Sequence, residues 1–447
     1  MERNLISPFL DLVIYFISTS TTNVRKINMK GYKYRIYPNK QQQQKMMQFF
    51  GCCRVVYNLC LDWYTNEYKR WKEQGGNFGK LPLVTAFKKE KEFLKDCDNA
   101  ALAYARMNFE TAIKNMRDSK KGKRKGKKCD FPKRKKRGKC KFIYRTQDSH
   151  GAIRFDEENK HIRLPKIGWV KCVKHREFYG RILSVSVSMT SAGHFYVSVL
   201  SDEHDLPVIN KRRNASSPKT VGLDMSLPHF CVSSDGEDDD MISKYHRFYR
   251  EEQRKLARLQ RMVSRKMKGS NNRNKARIRF AKAYERTHNR RMDFTVKMAL
   301  YFARKYDAVI IEDINMQSMS RTLHLGKSVM DLGWGGFVKW LEVECRRYDT
   351  HLQKADKWFA SSKTCNHCGY VNKYLMLKDR DWVCPVCGMH HDRDRNAANN
   401  LRDYFLNQYN TVGTTEFQAC GDMASTLRET VEQVLSLKQE AAPFREG

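Results

Sequence analysis

The chain has 447 residues, with 85 Lys plus Arg against 49 Asp plus Glu, a formal net charge of +36. That length accommodates two to four domains with their own cores, and a charge of that size calls for a polyanionic partner rather than a membrane patch. Ten of the 14 Cys show no framework spacing, which excludes a secreted, disulfide-built protein and fits a reducing compartment.

Ile6 to Ile17 is apolar but short and carries Pro8 and Asp11. It is too short to span a bilayer, and no small-residue cleavage site follows it. Residues 1–28 are therefore expected to be an extension upstream of a second start at Met29, of doubtful function. From Lys30 the sequence GYKYRIYP alternates as a half-buried strand stopped by Pro38. Lys40 to Arg70 has helical periodicity, with Met46, Phe49, Phe50, Val56, Leu59 and Trp63 on one broad face. A break at Gly75-Gly76-Asn77 precedes a second helical region, Val84 to Met116.

Residues 120–139 hold thirteen Lys or Arg and one acidic residue, Asp130. Such runs are often solvated linkers. This one is internal and leads into strand-like segments at Lys141–Arg145, Ala152–Phe155, His161–Leu164, Ser184–Met189 and Phe195–Leu200. It reads as a flexible basic connector tracking a phosphate backbone, with Lys133, Arg134, Lys135, Lys136 and Arg137 as candidate contacts. Asn210 to Lys219 has linker composition.

TVGLDMSLPHFCVSSDG then reads as strand, tight Ser226-Leu227-Pro228 turn and strand, with Asp224 closing the first strand. Lys244 to Arg291 carries eighteen Lys or Arg against three acidic residues. Leu256, Leu259, Val263 and Met267 give it a helical seam, and Gly269 to Asn272 divides it into a hairpin. Beside an acidic centre this basic face suits a nucleic-acid rail. A helix over Asn289–Lys305 and an apolar strand, DAVIIEDI, follow, the latter ending at Glu312 and Asp313; a further strand is expected at His351–Ala355.

Cys365 and Cys368, fifteen residues, then Cys384 and Cys387 form two C-x2-C knuckles ending in Gly369 and Gly388. This is the spacing of a four-thiolate zinc ribbon. DRDRNAANNL follows. A helix starting near Arg393 puts Asp394, Ala397, Ala398 and Leu401 on one face and leaves Asp392 to cap its first turn. The order strand with Asp, strand ending in Glu, helix entered by Asp gathers carboxylates at one sheet edge. Phosphodiester hydrolysis by two hard cations needs such oxygen ligands.

These motifs together resemble one family. Gly222-Leu223-Asp224, the IIEDI strand with Glu312, the four-Cys ribbon and DRDRNAANNL are similar to the RuvC-like nuclease of TnpB proteins, which are encoded by bacterial insertion sequences and resemble type V CRISPR nucleases. The opening MKGYKYRIYP, the FPKRKKRGKCKFIYRT stretch and the tail from Asn410 to Phe444 extend the match to about residues 29–435. The resemblance implies a mixed α/β protein: a RuvC-like RNase H fold at 216–403 with a zinc ribbon inserted at 361–390, and a wedge-like β-barrel from 29–40 and 125–215. A helical recognition insert would occupy 41–124, and 404–447 would form a tail. It implies an RNA-guided DNA endonuclease with Asp224, Glu312 and Asp394 as catalytic carboxylates holding Mg²⁺, two ions being expected, and structural Zn²⁺ on the four Cys. The partners would be a guide RNA from the element's end and duplex target DNA bearing a short adjacent motif. The location would be the bacterial cytoplasm, at the nucleoid. Met225-Ser226 departs from relatives that carry Gly after the Asp.

Two other readings remain open on sequence: a DDE-type transposase, separable by a strand-transfer assay, and a non-catalytic nucleic-acid-binding regulator of transposition. Guide, adjacent motif, cut positions and oligomeric state are not encoded legibly.

Overall fold

The computed structural model describes residues 29–412, apart from 125, 139, 149–150, 159, 179, 203–217, 227–228, 237–241, 243–246, 315–330 and 377. The leader, most of the Asn210–Lys219 linker, Leu227-Pro228 of the expected turn and the tail beyond residue 412 lie outside it. The chain divides into two units, residues 1–206 with 268–282, and residues 207–267 with 283–447.

In the first unit, β1 (Met29–Tyr37) opens the chain yet lies inside a seven-stranded sheet. It pairs antiparallel with β5 (Gly168–Val173) on one side and β7 (Phe195–Asp202) on the other. Its alternation works as the pattern demands: Tyr32, Tyr34 and Ile36 are buried while the residues between them are not. β6 (Arg181–Met189) and β2 (Phe142–Gln147) extend the sheet beyond β7, and β4 (His161–Leu164) and β3 (Arg154–Asp156) extend it beyond β5. β5 was not expected, although Val170 and Cys172 point inward between exposed neighbours.

Pro38 stops β1, and Asn39 starts α1 (Lys40–Gln74) with a reciprocal capping box, its side chain accepting the Gln42 amide while Gln42 returns a bond to the Asn39 amide. Met46, Phe49, Phe50 and Val56 are buried as the periodicity requires, whereas Leu59 and Trp63 are only half-buried. The helical region expected over Val84–Met116 consists of α2 (Val84–Glu90), a 3-10 turn (Glu92–Asp96) and α3 (Asn99–Lys120). Asp98 forces the restart by accepting the Ala101 amide as an N-cap at 3.1 Å. The helices share one core with the sheet, Phe49 packing edge-on and Phe50 tilted against Tyr144 of β2.

The second unit is built on a four-stranded sheet in the order β11-β10-β8-β9: His351–Lys354, Ala308–Ile311, Thr220–Asp224 and Val232–Ser233. β10 is parallel to both neighbours and wholly buried, which explains its unbroken apolar run. Val221, Leu223, Val309 and Ile311 face a core completed by Phe302 of α5 (Asn271–Lys305) and by Trp334, Phe337 and Leu341 of α6 (Trp334–Arg347). Ala308 and Ile310 face the other way, against Leu401 and Phe405 of α7 (Arg393–Val412).

The expected helix Asn289–Lys305 is the C-terminal part of the longer α5. In α4 (Phe248–Ser264) Leu256 and Val263 are buried, but Met267 lies past its end and is 77 % exposed, so it leaves the proposed seam. No helix among the described residues is long and apolar enough to cross a membrane.

Gly222 decides how closely α7 approaches the sheet. A Cβ there would stand 2.0 Å from the Ala398 carbonyl oxygen and 2.6 Å from the Arg402 amide nitrogen. Both obstacles are helix backbone, which cannot swing aside. Gly222→Ala should therefore lift α7, costing about 3 kcal/mol or more, at the upper end for overpacking; a thermal unfolding curve measures it. A melting temperature within a degree of wild type would show that the helix shifts freely.

Candidate active site and zinc ribbon

Asp224 ends β8, and Ile311 pairs with Leu223, so Glu312 follows β10 beside Asp224 at the same edge of the sheet. Asp394 enters the edge from the first turn of α7. Ala397, Ala398 and Leu401 are fully buried, which fixes the face of α7 that meets the sheet. Asp392 behaves differently. Its Oδ1 accepts the Arg395 amide at 2.7 Å, making it the N-cap of α7.

Asp224 feels the other two carboxylates. Burial pushes the Asp224 carboxyl well above its usual range, and the charges of Glu312 and then Asp394 push it further. A folded-state pKa above the unfolded value means the native state binds more protons, so stability is lost as pH rises through the unfolded carboxylate range towards the folded value. Asp224→Asn should accordingly raise the melting temperature of metal-free protein at neutral pH, by a few degrees, and flatten its fall between acid and neutral pH. An unchanged pH profile would contradict the repulsion.

Polar neighbours hold the other two acids. Arg380 Nη1 donates to both Asp394 oxygens, at 2.8 and 3.0 Å, and Ser226 Oγ donates to Oδ2 at 3.0 Å. Ser361 Oγ donates to Glu312. Ser226 is the departure noticed after Asp224, and here it supplies a donor. Nothing in the sequence pattern signals Arg380 or Ser361.

The four thiols of Cys365, Cys368, Cys384 and Cys387 converge with their sulfurs all within 4.8 Å of one another. Each knuckle repeats the same backbone pattern. Gly369 donates to the Cys365 carbonyl and Gly388 to that of Cys384, both at 2.9 Å, with φ of +75° and +71°. Cys384 is pulled down to about 6: burial opposes ionisation, but the Cys387 and Val386 amides together with the Cys368 and Cys387 thiols outweigh it by favouring the thiolate. The donor set and its convergence fit one tetrahedral zinc ion. His391 Nε2 lies 3.0 Å from Cys365 Sγ, a neighbour the Cys spacing does not reveal. Trp382 of β12 (Asp381–Val383), which pairs with β13 (His390–Asp392), closes the ribbon's small core.

The first knuckle is tied to α7. Asn366 gives three bonds: its amide to Asn396 Oδ1 at 3.0 Å, and its side chain to Asn400 at 3.2 Å and Asp403 at 2.7 Å. The Thr364 carbonyl accepts from Asn396 and Asn400 at 2.7 and 2.6 Å. The ribbon thereby fixes the helix that carries Asp394.

The candidate basic contacts lie in irregular backbone of the first unit. Lys133, Arg134, Lys136 and Arg137 are exposed, and Arg134 pairs with Asp62. Lys135 is committed elsewhere: its ammonium sits 3.6 Å from the Tyr57 ring centroid, and its backbone exchanges bonds with Asn58 at 2.9 and 3.0 Å. Burial lowers its pKa. Lys135 is a tether to α1.

Residues 196–323 match the family profile described as "Probable transposase", OrfB of IS605 type. Residues 334–401 match "Cas12f1-like, TNB domain" and residues 29–73 the OrfB "Helix-turn-helix domain". In the structure, residues 29–73 form β1 and most of the uninterrupted α1. A Streptomyces pristinaespiralis protein whose name proposes an RNA-guided DNA endonuclease is 30 % identical over 409 residues, 90 % of this chain and 93 % of that protein. The similarly named InsQ of Escherichia coli K12 is 27 % identical over 444 residues, 93 % of this chain and 99 % of that protein. The solved Cas12f1-sgRNA-target DNA complex aligns with TM-score 0.46 and 14 % identity over 84 % of this chain and 99 % of that one. Identity at that level, sustained over nine-tenths of both chains in the Streptomyces protein, means that the chain belongs to the TnpB family, the OrfB proteins of IS605-type elements.

Proposed function

We propose that this protein is an RNA-guided DNA endonuclease of a transposable element, hydrolysing target DNA at Asp224, Glu312 and Asp394. The observation that carries the reading is the meeting of three carboxylates from three elements at one sheet edge, with Asp224 strained towards protonation by burial and by the other two. Carboxylates are the ligands that hard divalent cations take, and such ions would relieve that repulsion. When bound there, two Mg²⁺ ions supply activation of water and stabilisation of the leaving 3′-oxygen. The chain's own part is positional. β8 and β10 fix Asp224 and Glu312, while α7 and the ribbon fix Asp394. Arg380 and Ser226 hold the Asp394 carboxylate oriented, and Ser361 does the same for Glu312.

On this reading the second unit is the RuvC-like RNase H nuclease with its zinc ribbon. The seven-stranded sheet of the first unit serves as the wedge-like barrel and α1 to α3 as the recognition insert. Guide RNA pairing supplies sequence, and the protein reads a short motif in duplex DNA and grips phosphates. RNA copurifying with the expressed protein should be one discrete species from the element's end; a random sample of cellular RNA would overturn guide binding.

Of the five candidates, Lys133, Lys136 and Arg137 are exposed, while Arg134 pairs with Asp62 and Lys135 packs on Tyr57. Neutralising these three should lower the slope of log affinity against log salt by about 2 to 3. Lys135 is left out because its loss unseats the segment. An unchanged slope would mean that the run is a solvated linker.

A further inference from the structure

Between β11 and the first knuckle the chain makes a short turn, Asp356 to Ser361, anchored at both ends. The Ala355 amide donates to the Ile311 carbonyl at 2.9 Å, one residue before Glu312. Asp356 Oδ1 accepts the Trp358 amide at 2.7 Å, and the Asp356 carbonyl accepts the Phe359 amide at 3.0 Å. The Phe359 ring packs 4.8 Å from Tyr404 of α7, Asn400 donates to the Ser361 carbonyl at 2.7 Å, and the Ser361 hydroxyl touches Glu312. On this pinned turn the indole of Trp358 is 83 % exposed, with the Lys357 ammonium 4.9 Å from its centroid.

Single exposed apolar side chains are ordinary. What sets Trp358 apart is rigidity and place: the backbone holding it is tied to the carboxylate edge, and a cation stands beside it. We propose that Trp358 is a stacking platform for an unpaired base of the DNA strand delivered to Asp224, Glu312 and Asp394, with Lys357 meeting an adjacent phosphate. This rests on the nuclease reading of that edge. A flat π-face accepts any base, so the contact orients the strand without reading its sequence. Trp358 is thus a positioning residue.

The test measures binding of the zinc-loaded full-length chain at raised ionic strength, where phosphate contacts weaken. The probes are a thymidine oligonucleotide and an abasic oligonucleotide of equal length. Wild type should prefer the thymidine strand, Trp358→Ala should lose about tenfold on that strand alone, and Trp358→Phe should keep most of the preference. Trp358→Ala should melt as wild type does. Full retention of the thymidine preference in Trp358→Ala overturns the proposal, as does equal weakening on both strands, which would indicate a phosphate contact or a disturbed fold. Cleavage is not the readout, so the two failures are told apart: lost base preference overturns the stacking contact, whereas base stacking by a protein that never cuts overturns the nuclease reading on which its role at that edge depends.

Discussion

Asp394→Ala should lower Mg²⁺-dependent cleavage of a guide-matched duplex by about 10³-fold or more, while RNA and DNA binding persist. A metal ligand is worth several kcal/mol of transition-state stabilisation, and each 1.36 kcal/mol is tenfold in rate. The neighbouring Asp392→Ala should cost only about 1 kcal/mol of stability, because Asp392 caps α7 through the Arg395 amide. Two carboxylates only two residues apart thus receive opposite fates from the helix register: one precedes the first turn, the other projects from it beside Arg380 and Ser226. A dead Asp392→Ala with an active Asp394→Ala would reverse the assignment.

The second large effect is on zinc. Purified protein should hold about one zinc per chain, and Cys365→Ser or Cys387→Ser should release it with local unfolding of the ribbon. A structural site of this kind contributes about 10 kcal/mol or more of apparent folding energy in small zinc domains. The damage should travel to the proposed active site by a definite route. Asn366 and Thr364 in the first knuckle hold Asn396, Asn400 and Asp403 of α7, and β13 runs directly into that helix. Arg380, which orients Asp394, also comes from the ribbon. With zinc stripped, the chelator removed and Mg²⁺ supplied, cleavage should be at least tenfold lower and should return with added zinc. Fully active protein without zinc would contradict this.

Sequence reasoning succeeded where one constraint dominated. The alternation of Tyr32, Tyr34 and Ile36, the wholly apolar β10, the doubled knuckle and the small residues Ala397 and Ala398 each admit few local structures. It also anticipated that Asp392 would cap the helix. It missed α6, because Gly335 and Gly336 interrupt the first turn of a helix whose stability comes from burying Trp334, Phe337 and Leu341. It read α2 and α3 as a helical region without placing the break between them, because the restart at Asp98 depends on a cap that only the fold completes; Asp98 also accepts a bond from Thr146 of β2 at 2.7 Å. The places of Asp224, Glu312 and Asp394 at strand and helix ends were legible, and the role proposed for them rests on those places. Their partners were not. Arg380, Ser361 and Asn366 reach the site across the chain, and no spacing rule joins them to it.

The most direct measurement supplies the purified protein with an RNA whose guide segment is rewritten to match a chosen duplex carrying the adjacent motif. Cutting should occur in that duplex alone, require Mg²⁺, stop with EDTA and be absent for Asp394→Ala. Absence of cutting by the wild type with its RNA and Mg²⁺, or cutting that ignores the guide sequence, would contradict the account.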